Sequence, residues 1–371
     1  MVTSAQRVSL LVLVCFALSS PVASAGFYRR IDDDLPPNSR VWAINDKGDI
    51  AGWIAVEGNN EEIGFVRPYA TGVVQQFRLY RNGSYYKTEV RGINNNGLVI
   101  GYAWAANSNC KTTDYSGCTG FILPHGASAP TVIRRYVSAA LIGTGHAVND
   151  SGTFVGDYDC KSYPDCKLFP SIVGYRGSTA LFKYSSDLVF PIGTQTNTTL
   201  PKFPIRIRPR GINNKGDIVG FYTAEGPPEH GFLHKADGTV ACIQANNKDN
   251  GTDIFSINDA GVLAGQWRDV NGNFHGIRIK FERGKSYSLV ELNVPNAFST
   301  ELSQINSWGG IVAYAKFCTA KDKQGNCSNT SYGNYLYCPT GADKNWCQFP
   351  TGVAAAEPPA IWKNAIACDA P

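Results

Sequence analysis

One phrase recurs six times in this chain, and no other feature constrains its fold as tightly. The copies run Ala43 to Gly52, Gly92 to Gly101, Ala147 to Gly156, Gly211 to Gly220, Ser256 to Gly265 and, in worn form, Gln304 to Ala313. Each carries a β-branched residue, an Asn, a second turn-forming residue, one variable position, Gly and an alternating apolar stretch. The repeated asparagines stand at 45, 94, 149, 213, 258 and 306, in steps of 49, 55, 64, 45 and 48 residues. Periods of that size mean an array of small supersecondary units, none able to bury its apolar face alone.

Asn, Asp and Gly accept left-handed backbone angles, and Asn or Asp side chains close turns onto nearby amides. Between Val/Ile-rich runs, that is a hairpin signal. The first strand is expected to end near Ile44 and the second to run from about Asp49 to Ile54, with equivalents in the other copies. Further apolar pieces open at Gly64-Phe65, Gly120-Phe121, Gly231-Phe232 and Gly276-Ile277. Alternating stretches then follow, such as Thr131 to Tyr136 and Ser288 to Leu292. That is about four strands per unit, the content of one propeller blade. The fold class expected is therefore all-β, a six-bladed β-propeller, with a β-solenoid as the alternative. The uneven steps favour the closed ring, because stacked rungs hold a nearly constant length and loops on separate blades need not.

Residues 1–25 read as a secretory signal: Arg7, the apolar run Val8 to Leu18, and the small-residue site Val22 to Ala25. A single domain over 26–371 is expected, secreted or periplasmic, with no membrane span. The net charge of +4 falls by one when Arg7 is removed, which gives no reason to expect nucleic acid as a partner. Apart from Cys15 in the apolar run, ten of the 11 cysteines remain, an even number that favours disulfides in an exported chain. Proximity suggests Cys110 with Cys118, Cys160 with Cys166, Cys318 with Cys327 and Cys338 with Cys347, leaving Cys242 and Cys368 to tie the C-terminus to the fourth unit. CxxC spacing with nearby His, as zinc would need, is missing. No metal or cofactor is expected.

The phrase Ile-Asn-Asn/Asp-x-Gly-x-Ile-Val-Gly, followed by His230-Gly231-Phe232 or the weaker His275-Gly276-Ile277, resembles the extracellular HAF repeat of exported, mostly bacterial proteins. The resemblance covers about residues 40 to 340. It implies export and a propeller-like repeat array, and it brings no catalytic residues.

Candidate chemistry is thin. His230 and His275 recur at one repeat position, which suits packing better than catalysis, since a switchable His is needed once. His125 and His146 are read as loop residues without a role. The Asn45 to Asp49 and Asn213 to Asp217 turns have too few convergent oxygens for a calcium loop. They also resemble the Asp-box hairpins of sialidase propellers. That class needs an arginine cluster, and linear order does not bring Arg67, Arg78, Arg134, Arg206 and Arg208 together. Nucleophile-elbow, zinc-protease and phosphate-loop motifs are absent, so the sequence leans away from an enzyme without excluding one. Aromatics follow the repeat's second Gly at Trp53, Tyr102, Tyr158, Phe221 with Tyr222, Trp267 and Tyr314. They are candidates for sugar stacking or, more simply, for packing between blades. Arg206 and Arg208 share one face of a strand and, with Arg210, could meet an anionic polysaccharide. The reading that emerges is an exported scaffold binding a glycan or a cell-surface protein through Trp53, Tyr102, Tyr158, Tyr222, Trp267, Arg206 and Arg208. The alternative is a propeller hydrolase or lyase acting on extracellular polysaccharide. The oligomeric state is not legible.

Overall fold

A computed structural model of the chain describes residues 26–58, 61–106, 110, 118–135, 144–157, 171–174, 181–182, 206–223, 228–245, 250–281, 286–339, 347 and 361–364. Each repeated phrase forms a turn as its residues dictate. Asn45 Oδ1 accepts from the backbone N–H of Lys47 at 3.0 Å and of Asp49 at 2.9 Å. Gly48, at φ 83°, takes the left-handed angle that lets the chain reverse. Ser39–Ile44 then pairs antiparallel with Ile50–Val56, and the same hairpin is built at every copy.

The hairpins share an irregularity that the sequence pattern does not announce. Three residues before the repeated Asn, the pairing skips one residue: Trp42, Arg91, His146, Arg210 and Phe255 each bulge out of register. In the worn copy both Ser303 and Gln304 are skipped. The bulge draws the first strand's carbonyl against the second strand. A Cβ on Gly52 would lie 2.0 Å from the Arg40 carbonyl oxygen, and one on Gly220 would lie 2.1 Å from that of Arg208. The last Gly of the phrase is thus demanded by close approach rather than by turning. The sixth copy, with its wider slip, holds Ala313 there.

The all-β expectation is met: no α-helix occurs among the described residues. The sheets form a β-propeller arrangement in which five blades have four strands or more. The third copy heads a sheet with three described strands, Thr144–Val148, Phe154–Asp157 and Ser171–Gly174. The blade of the last copy combines Ser299–Ile305, Ile311–Lys321 and Cys327–Cys338 with Phe27–Arg30, which pairs antiparallel to Cys327–Cys338 from the far end of the chain. Ile361–Asn364 adds a fifth strand to the blade of the fifth copy.

The core lies between neighbouring blades. Phe77, Val90, Ile93, Val99 and Phe121 join the first two, and Val41, Ile50, Phe65, Val312 and Leu336 join the first to the last. The Gly-Phe pairs are explained by this packing. Phe65, Phe121 and Phe232 are buried, and a Cβ on Gly231 would meet Ile254 of the following blade at 2.8 Å. Disulfides join Cys110 to Cys118, Cys318 to Cys327 and Cys338 to Cys347. Cys242 is in a disulfide, and its expected partner Cys368, with Cys160, Cys166 and the 1–25 segment, lies outside the described residues. No helix among the described residues is long and apolar enough to cross a membrane.

Candidate functional site

The repeated Asn does more than close its own turn. Asn45 Nδ2 donates to the carbonyl of Asn94 at 3.1 Å, Asn94 to Asn149 at 2.9 Å, and Asn149 to Asn213 at 3.1 Å. Asn213 donates to Asn258 at 3.2 Å, Asn258 to Asn306 at 3.0 Å, and Asn306 back to Asn45 at 3.1 Å. The series is a closed circuit around the axis. Beside it runs a second series, from Asp46 through Asn95, Asp150 and Asn214 to Asp259. Asn95 Nδ2 bridges the carboxylates of Asp46 and Asp150 at 2.8 and 2.9 Å, and Asn214 Nδ2 bridges those of Asp150 and Asp259 at 2.9 and 2.8 Å. Alternating carboxylate and amide lets each acid accept from a neighbour, so like charges are never adjacent around the ring. The Asp46 and Asp49 oxygens that resembled a cation loop are engaged in these turn and ring hydrogen bonds. Around this end the axis encloses only about 60 Å³.

The bulged residues create a different space. Trp42, Arg91, His146, Arg210 and Phe255, with Tyr102 and Phe221 from second strands, line a cavity of about 160 Å³. Five of these seven occupy the repeat position three before the Asn. Bulges re-aim side chains, and here the bulges of five hairpins send one side chain each toward a common centre. Aromatic rings and guanidinium groups interleave in the wall. The Arg91 guanidinium lies 4.3 Å from the Trp42 ring centre and 5.0 Å from that of Tyr102, and Arg210 lies 4.9 Å from that of Phe221. Trp42 meets Phe255 edge-on at 5.6 Å. Arg91 is ion-paired with buried Glu89, whose carboxylate also accepts from the Tyr102 hydroxyl at 2.8 Å. His146 Nε2 is 3.0 Å from the Thr144 hydroxyl, and its ring is 6.1 Å from that of Tyr102.

Two residues further up each first strand sit Arg40, Glu89, Thr144, Arg208, Asp253 and Glu301. Their partners across the hairpin are Trp53, Tyr102, Asp157, Phe221, Gln266 and Tyr314. Arg40 pairs with Glu301 at 2.5 Å. Burial, and then the charge of Glu229, pushes the Asp253 carboxyl up to about 7. Arginines 40 and 91 are thus ion-paired with Glu301 and Glu89, and Arg208 and Arg210 lie beside the Phe221 ring.

The sequence candidates divide cleanly. Trp53 and Tyr102 belong to this side of the hairpins, as does Arg208, 5.8 Å from the Phe221 ring beside Arg210. Tyr222 and Trp267 occupy the next position along their strands and turn the other way. Tyr222 packs on His230 at 5.5 Å, and Trp267 stacks on His275 at 4.4 Å. The aromatics after the Gly are thus two registers and not one set. Arg206 lies on Arg206–Ile212 opposite Thr223, and Tyr158 lies outside the described residues. His146, read from sequence as a loop residue, is on the strand Thr144–Val148 and in the cavity wall. Sequence reasoning missed Trp42, Arg91 and Phe255 altogether. Their signal was available: the position three before each Asn reads Trp, Arg, His, Arg, Phe, Ser, varying amid otherwise uniform repeats.

No protein-family model matches the chain, and no curated protein is significantly similar to it.

Proposed function

We propose that this chain is an exported six-bladed propeller that acts as a binding module, holding an acidic sugar unit in the cavity formed by its bulged residues. One observation carries the proposal: Arg91 and Arg210 stand among Trp42, Tyr102, Phe221 and Phe255 around about 160 Å³. Rings of that kind stack on the apolar faces of sugars, and guanidinium groups fit carboxylates through planar pairs of N–H donors. The six-membered asparagine circuit supports the count of six blades. Three disulfides and the resemblance to the HAF repeat support an extracellular or periplasmic setting.

The test is a calorimetric titration of the mature chain with galacturonic and glucuronic acid, with glucose as the neutral control. Binding of the acids and not of glucose is expected, with Arg210→Met and Arg91→Lys weakening it about tenfold or more. Equal binding of glucose, or no change in either variant, sinks the proposal. A second reading, a lyase or hydrolase cutting such a polymer, draws on the carboxyl of Glu89, the phenol of Tyr102 and the imidazole of His146 in one region of the wall. Release of new chain ends from a polyuronide, lost in Tyr102→Phe, distinguishes it.

A further inference from the structure

From the cavity a line of rings and cations leads outward over the blade of the last repeat. Trp42 forms the cavity wall. The Arg40 guanidinium lies 5.4 Å from the ring centres of Trp42 and Trp53 and 4.3 Å from that of Tyr314. Tyr314 stacks on Tyr332 with centroids 5.6 Å apart and planes 17° from parallel. The Lys316 ammonium then lies 5.6 Å from the rings of both Tyr332 and Phe298.

Strand register makes this one surface. Glu301 is opposite Tyr314, Lys316 is opposite Tyr332, and Tyr314 and Lys316 are two apart on Ile311–Lys321, so all four side chains share a face. The outer end is open: Tyr332 is 50% exposed, one of few large apolar side chains so exposed among the described residues.

We infer that the cavity is the inner end of an extended groove, and that its ligand is a linear acidic polysaccharide running from the axis across Tyr314 to Tyr332 and Lys316. The inference rests on the acidic-sugar reading of the cavity and adds the polymer and its direction. The stacked rings match a polymer whose every unit offers an apolar sugar face, Lys316 at the outer end suits its carboxylates, and the line is continuous with the cavity through the Arg40–Glu301 pair. A free acidic monosaccharide needs only the cavity, whereas the ladder serves the following units.

The experiment compares a monomer, a dimer and a hexamer of galacturonic acid on the full mature chain by calorimetry. The hexamer is expected to bind about tenfold more tightly than the monomer, a gain of about one stacked ring. Tyr332→Ala, at an exposed site that folding does not need, removes that gain and leaves monomer affinity unchanged. Arg210→Met weakens both. Equal affinities for monomer and hexamer, or a hexamer unaffected by Tyr332→Ala, overturn the groove and leave the cavity reading standing. Absence of saturable binding by any acidic sugar overturns both.

Discussion

Asn306 Nδ2 donates to the carbonyl oxygen of Asn45 at 3.1 Å, across 261 residues of chain. The same side chain accepts on Oδ1 from the N–H of Gly310 at 2.9 Å. Each repeated Asn therefore fixes its own turn and grips the next one. Replacing Asn213 by Ala leaves buried partners without their hydrogen bonds, at a cost of about 2–4 kcal/mol. Replacing exposed Lys215 in the same turn by Ala is expected to cost less than about 0.5 kcal/mol. Urea unfolding of the two variants checks this, and similar midpoints would remove the asparagine circuit from the stability of the ring.

Gly220→Ala places a methyl group 2.1 Å from the Arg208 carbonyl oxygen. The strands must separate to admit it, and a loss of about 2 kcal/mol or more is expected. The converse change, Ala313→Gly in the last copy, relieves no contact and costs only about 1 kcal/mol in chain entropy. Melting temperatures of the two variants should differ accordingly. A mild effect at Gly220 would mean that the bulge does not force the close approach.

Glu89 is 1% exposed in its side chain and is ion-paired with Arg91. Arg91→Met takes the salt bridge from that carboxylate while the Tyr102 hydroxyl still donates to it at 2.8 Å, and is expected to destabilise by about 3 kcal/mol, because a buried charge that loses its ion-pair partner is costly. Adding Glu89→Gln to the same chain should restore most of the loss. A double-mutant cycle measures the coupling, and additive effects would show that the pair is not interdependent.

Asp253 gives the fold a pH dependence of unusual sign. Its carboxyl is held up to about 7, mainly by burial and then by Glu229, against an ordinary value of 3.8. Gln266 Nε2 donates to Asp253 Oδ2 at 3.2 Å, and Arg268 sits 3.8 Å from Glu229. Asp253 Oδ1 is a buried oxygen without a hydrogen-bond donor, which adds to the cost of ionising the group. The folded chain keeps a proton that the unfolded chain releases near 3.8. The group's contribution is therefore full below that value and is lost as pH climbs toward 7. Asp253→Asn cannot ionise, so its stability relative to the parent should improve from about pH 4.5 to about pH 8. Denaturation midpoints at both pH values test the sign, and parallel profiles would assign the proton elsewhere.

Much of this fold is written plainly in the chain. The hairpins, the packing of Phe65, Phe121 and Phe232, and three disulfides follow from repeat phrase, period and cysteine spacing, because those depend on local geometry that residue types dictate. The cavity is harder to read. Whether Trp53 and Trp267 face the same way depends on a single step of register, and every side chain changes sides with that step. The bulges at Arg91 and Arg210 come from pairing with the second strand, so apolar alternation alone gives no hint that these side chains leave the pleat. His146 looked like a loop residue because Gly143, Thr144 and Gly145 precede it, a composition that masks a strand.

The blade of the last repeat is completed by Phe27–Arg30, whose partner strand Cys327–Cys338 is made three hundred residues later. A chain that emerges from its N-terminus thus carries the latch first and the socket last. Intermediate lengths own no finished circle, only blades with an open flank at either end, and such flanks are where nascent chains stick to one another. Closure of the circle therefore waits for the strand Cys327–Cys338.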